Sequence, residues 1–146
     1  MDTAQCYDDA VAVEIEHLPD EDPLEGLRRI CLELPEATER LSHGEPTWFV
    51  QGKRTFVTFA DHHHDDRVAF WSAAPEGAQQ MLVQQNPHRF FVPSYVGVRG
   101  WIGVRLDGDV DWEEISELVT DAYLCVAPRK LKAKVGGAGE IADTII

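Results

Sequence analysis

A hairpin is written into residues 43–59, His43-Gly44-Glu45-Pro46-Thr47-Trp48-Phe49-Val50-Gln51-Gly52-Lys53-Arg54-Thr55-Phe56-Val57-Thr58-Phe59. Two runs of β-branched and aromatic residues, Thr47–Val50 and Thr55–Phe59, flank the turn Gln51-Gly52-Lys53-Arg54. Strand-forming runs around a short glycine-containing turn pair antiparallel with each other. In the lead-in, Gly44 supplies backbone freedom and Pro46 holds Glu45 extended. Any fold for this chain must therefore include an antiparallel sheet.

The flanking segments supply helices to cover it. Asp22-Pro23-Leu24-Glu25 has an N-cap, a proline at the first helical position and a capping-box glutamate. Leu24, Leu27, Ile30, Cys31 and Leu34 then recur at helical spacing until Pro35, which predicts a helix over Pro23–Leu34. Glu36–Glu45 reads as a polar connection. After the hairpin come the loop Asp61–Asp66, a third strand Arg67–Ser72, and a second helix from Pro75-Glu76 to Gln85 that Asn86-Pro87 ends. Phe90-Phe91-Val92 is a short strand, Pro93–Gly100 a loop with extended character, and Trp101–Leu106 a fifth strand. Asp111-Trp112-Glu113-Glu114 repeats the capping-box spacing and opens a third helix lined by Ile115, Leu118, Val119, Ala122 and Val126, stopped at Pro128. The order α-β-β-β-α-β-β-α predicts an α+β two-layer sandwich, a mainly antiparallel five-stranded sheet with helices on one face.

With 146 residues there is room for one core. Residues 22–134 are expected to form a single domain. Residues 1–21 are acid-rich: Ala10–Leu18 has the spacing of a short amphipathic helix, and the composition equally suits disorder. Residues 135–146, with Gly136-Gly137-Ala138-Gly139, read as a flexible tail. No apolar run approaches the roughly 20 residues that span a bilayer, and Met1–Asp22 shows neither a basic leader nor an apolar h-region. Cys6, Cys31 and Cys125 are odd in number and far apart, which fits reduced thiols in a cytoplasm better than a disulfide framework or zinc knuckle.

Charge is uneven. Residues 1–46 carry a net −10, residues 47–110 a net 0 and residues 111–146 a net −3, within an overall −13. Nucleic-acid binders usually show the opposite footprint, although a local basic face acts within a Debye length. Such a face would use Lys53 and Arg54 at the hairpin tip, Arg99 and Arg105 on the second hairpin, and the run Arg129–Lys134. Trp48, Tyr95 and Trp101 could stack on bases. Against this, charged hairpin tips also serve solubility and block edge pairing, and Trp48 and Trp101 suit sheet-core packing. Asp61-His62-His63-His64-Asp65-Asp66 has ligand-type residues, but consecutive loop residues cannot all converge on one ion, so no metal site or cofactor is expected. His43 could act as an acid/base or contact a ligand; a histidine leading into a strand more often hydrogen-bonds a turn. Gly97-Val98-Arg99-Gly100 lacks the phosphate-loop pattern and precedes a strand. Gly100 and Gly103 leave room for a shallow pocket beside Tyr95 and Trp101.

Two stretches carry a resemblance: His43-Gly44-Glu45-Pro46-Thr47-Trp48-Phe49 with Gly52-Lys53 and Phe56, and Tyr95-Val96-Gly97-Val98-Arg99-Gly100-Trp101-Ile102-Gly103-Val104-Arg105-Leu106-Asp107-Gly108 followed by an acid-started helix with Tyr123 near its end. In this order and spacing the chain resembles the MmcQ/YjbR family of small bacterial proteins over roughly Leu24 to Lys134. The resemblance implies a two-layer fold similar to secretion chaperones and a DNA-associated role in which two β wings grip a duplex. Three readings follow. The first is a DNA-binding or regulatory protein with the two hairpins as wings. The second is a protein- or small-ligand-binding module using the exposed sheet face. The third is an enzyme, for which no constellation is visible unless a pocket joins His43 with Arg99 and a carboxylate.

Overall fold

The computed structural model describes residues 22–61 and 68–135. The acidic segment 1–21, the His62-His63-His64 tract with Arg67, and residues 136–146 lie outside the described residues. Helix α1 (Pro23–Leu32) begins where its caps predict, with the Asp22 carboxylate accepting from the Leu24 N–H. It ends before Leu34 because Leu34 N–H turns back to the Cys31 carbonyl, a tighter three-residue closure ahead of Pro35. The remaining elements are β1 (Ala37–Ser42), β2 (Glu45–Val50), β3 (Arg54–Asp61), β4 (Val68–Ser72), α2 (Ala78–Gln85), β5 (Phe90–Phe91), a 3-10 turn (Val96–Arg99), β6 (Ile102–Arg105) and α3 (Trp112–Val126). Residues 129–135, the basic run, are helical.

Among the described residues the sheet has six strands, not five, in the order β1-β2-β3-β4-β6-β5, with every neighbouring pair antiparallel. The added strand is β1, which occupies the segment expected to be a polar connection. Its sequence Ala-Thr-Glu-Arg-Leu-Ser lacks apolar alternation because it is an edge strand, and Leu41 is exposed. Ser42 pairs with Glu45, so His43-Gly44 is a two-residue turn, with φ of +54° and +83°. Positive φ at both central residues is the type I′ geometry that matches strand twist. The second correction concerns the wings. β2 and β3 lie inside the sheet between β1 and β4, so the Lys53–Arg54 ribbon is part of the sheet body and only its turn is exposed.

Cross-strand partners share a face. Glu39, Trp48, Val57, Ser72 and Ile102 form one such row, on the face covered by α1 and α3. Phe56 meets the Tyr123 ring of α3 edge-on at 5.6 Å, and the Tyr123 hydroxyl donates to the Pro35 carbonyl at 2.7 Å. Trp112, at the start of α3, packs its ring where a side chain on Gly26 would stand. A polar network is built into this face. The Glu39 carboxylate accepts from Arg28 Nε at 2.8 Å and Nη2 at 2.9 Å, and from the Trp48 indole N–H at 3.0 Å. The Arg28 hydrogen bonds hold the Glu39 carboxyl below the usual carboxylate range. Trp48 is fully buried here, which removes it from any contact surface.

Candidate ligand cavity on the open sheet face

Among the described residues no helix of the core layer covers the opposite face, and a second cross-strand row runs across it: Arg40, Thr47, Thr58, Trp71, Gly103 and Phe91, one from each strand. Gly103 carries no side chain, and the Phe91 ring occupies the space a Cβ would fill. At the other end Arg40 lays its guanidinium 3.7 Å from the centre of the Phe49 ring and donates to the Gly52 carbonyl at 3.2 Å. Between these ends lies a cavity of about 580 Å³, in the size range of small-ligand sites.

Its floor includes Thr47, Thr58 and Trp71. Thr47 Oγ1 donates to the Glu45 carbonyl at 3.0 Å, so the Thr58 hydroxyl, 3.1 Å away, is the donor between the two threonines. One wall is the β1–β2 turn with Ser42, His43 and Glu45; the other is the strap from β5 to β6, with Tyr95, Val96, Arg99 and Trp101.

The strap is fixed by a residue outside it. The Gln79 carboxamide, on α2, donates to the Gly97 carbonyl at 2.8 Å and the Trp101 carbonyl at 2.7 Å, spanning the 3-10 turn that carries Arg99. Tyr95 has φ +64° and ψ −59°, and the Val96 N–H reaches the Ser94 carbonyl at 2.6 Å. This is a γ-turn of the rare positive-φ kind, a conformation costing a non-glycine residue about 1–3 kcal/mol and concentrated at ligand clamps and active sites. Tyr95 and Val98 are nonetheless exposed. Arg99 places its guanidinium over the Trp101 ring, 5.6 Å from the centroid, a cation–π contact. Neither the Arg99 nor the His43 side chain makes a hydrogen bond or ion pair with any described residue.

The structure thus gathers four of the eight candidate residues, His43, Tyr95, Arg99 and Trp101, and leaves four outside. Trp48 points to the helix side because it is one residue out of phase with Thr47. Lys53 and Arg54 are exposed on the β2–β3 turn and do not line the cavity. Arg105 ends β6 and pairs with Asp107 at 3.2 Å, beside a shallow depression with His88 and Arg89. Arg99 itself sits on the 3-10 turn and not on a hairpin strand. His43, Arg99 and Glu45 do line one cavity, but no hydrogen bond from a described residue orients the imidazole as acid–base chemistry requires. The sequence reading missed Thr47, Thr58, Trp71 and Gln79. Strand parity counted from Trp48 would have placed Thr47 on the open face; nothing local marks Gln79.

The YjbR family model matches residues 32–125. Among solved structures, the fold is similar to the crystal structure of Deinococcus radiodurans protein DR2400, whose domain is described as DUF419. The TM-score is 0.62 at 21% identity, covering 79% of this chain and 91% of that one. No curated protein matches.

Proposed function

The chain belongs to the YjbR family, and we propose that it is a small-ligand-binding module whose site is the cavity on the open sheet face. One observation carries this reading. The two stretches that bear the family resemblance, 43–56 and 95–108, are far apart in sequence, yet their leading residues close on the same cavity from opposite sides. His43, Glu45 and Thr47 come from the first, and Tyr95, Arg99 and Trp101 from the second. Largely apolar walls with a few convergent polar groups are what a ligand site needs. The groups present suit recognition more than bond-making. The test is a fragment screen read by backbone amide shifts. Bound fragments should perturb 43–47 and 95–101 together; fragments that bind elsewhere, or none that bind, overturn the proposal.

A second reading, DNA association through the β2–β3 turn, is favoured by Lys53 and Arg54, both exposed and without an ion pair among the described residues. It requires duplex binding that weakens steeply with salt and disappears in Lys53→Glu/Arg54→Glu. Absent or salt-insensitive retention at low ionic strength removes it.

A further inference from the structure

Resting on the cavity reading above, we infer that the ligand is a planar organic monoanion, an aromatic carboxylate, with Arg99 as its ion partner. The Arg99 guanidinium lies over the Trp101 ring, 5.6 Å from the centroid, and has no carboxylate or carbonyl partner among the described residues. A cation–π contact engages no N–H donor in a hydrogen bond, so the guanidinium keeps its fork of donors for a two-oxygen acceptor. The backbone that carries this cation is clamped by Gln79 and bent at a strained Tyr95, which fixes where the guanidinium starts from before any ligand arrives.

The other walls define the rest of the ligand. Trp71 and Trp101 are almost wholly buried side chains lining the cavity, and indole surfaces favour a flat, apolar body. His43 offers an N–H donor in either tautomer. Glu45 lines the same wall, and an acidic residue there disfavours a second negative charge and so selects against phosphate monoesters. One guanidinium, one imidazole and one opposing carboxylate suit a single negative charge better than two.

The test titrates the full chain with benzoate, 2-naphthoate and indole-3-carboxylate, their primary amides, and 2-naphthyl phosphate, reading backbone amide shifts. At least one carboxylate is expected to bind about ten- to a hundredfold more tightly than its amide, the value of a charge-assisted hydrogen-bonded pair. Arg99→Gln should remove that preference, the carboxylate losing far more affinity than its amide, and Glu45→Gln should bring the phosphate up towards the carboxylate. Amides that bind as well as carboxylates, with shifts in 43–47 and 95–101, overturn the inference and leave the cavity reading standing. A phosphate that binds the unmodified protein most tightly also overturns the inference alone. No binding by any probe overturns the inference, and a wider fragment screen without hits overturns the cavity reading as well. Because Arg99 is exposed and lies outside the core, loss of folding does not complicate the variant.

Discussion

Replacing Glu39 with alanine should be the most destabilising polar substitution in the described domain, and its cost follows from three bonds. The carboxylate takes two charge-assisted bonds from Arg28 and one from the Trp48 indole. Arg28 keeps Glu25 as a partner and its side chain is 29% exposed, so water and Glu25 recover much of what it loses. Trp48 has no such recourse: it is fully buried, and its N–H would be left without an acceptor, at about 1–3 kcal/mol. Adding a screened remnant of the ion pair gives a loss of about 2–4 kcal/mol for Glu39→Ala. Glu39→Gln retains a neutral acceptor for the indole and should lose about half as much. The pH dependence has a definite sign. Glu39 is held below its ordinary carboxylate range in the folded protein, so its contribution is present above the unfolded value. It fades as pH falls through the depressed folded value. Urea unfolding followed by tryptophan fluorescence, at neutral pH and at intervals below about pH 5, measures both effects. The unmodified protein should lose more stability on acidification than Glu39→Gln. A Glu39→Ala cost under about 0.5 kcal/mol, or identical acid slopes in the two proteins, would refute the reasoning.

Other expectations concern the strap, the sheet and the thiols. Gln79→Leu should cost only about 1–2 kcal/mol in global stability while markedly raising hydrogen-exchange rates in 96–101 and weakening any cavity ligand; unchanged exchange there would deny Gln79 its clamping role. Tyr95→Gly removes the positive-φ strain and should raise urea stability by about 1 kcal/mol even as it weakens ligand binding, so a loss of stability would count against the γ-turn argument. Gly103→Ala sets a methyl against the Phe91 ring and should destabilise by about 1–3 kcal/mol, measurable in the same unfolding assay. Cys31 is buried and burial pushes its thiol well up, whereas Cys125 is exposed and only moderately raised, chiefly by partial burial. A disulfide reagent at mildly alkaline pH should therefore label Cys125 in the native protein and reach Cys31 only on unfolding.

Much of this architecture was legible because the central elements carry their own signals. Asp22-Pro23 and Asp111 cap their helices as written, and the β2–β3 hairpin follows from strand-forming runs around Gly52. β1 was hidden because its burial is slight and its pairing is supplied by β2, not by its own composition. Its signature lay instead in His43-Gly44, a two-residue turn needing positive φ twice. The 3-10 turn in 96–99 was also unforeseen, since it is held by Gln79 from a different element. The same cause limits the site. His43, Tyr95, Arg99 and Trp101 could be singled out by residue type, but their meeting depends on the strap crossing the open face. Trp48, Lys53, Arg54 and Arg105 share those residue types and belong elsewhere, because strand parity and sheet order, not chemistry, decide which side they serve.

If the open-face cavity is the working surface, a ligand must sit among the side chains that line it. Intermolecular nuclear Overhauser effects from a saturating aromatic carboxylate test this directly. Contacts from the ligand ring to the Thr58 methyl and the Trp71 and Trp101 indoles are the expected result. Contacts confined to the groove between α2 and α3 at Met81 and Leu82, or to the Lys53–Arg54 turn, would contradict it.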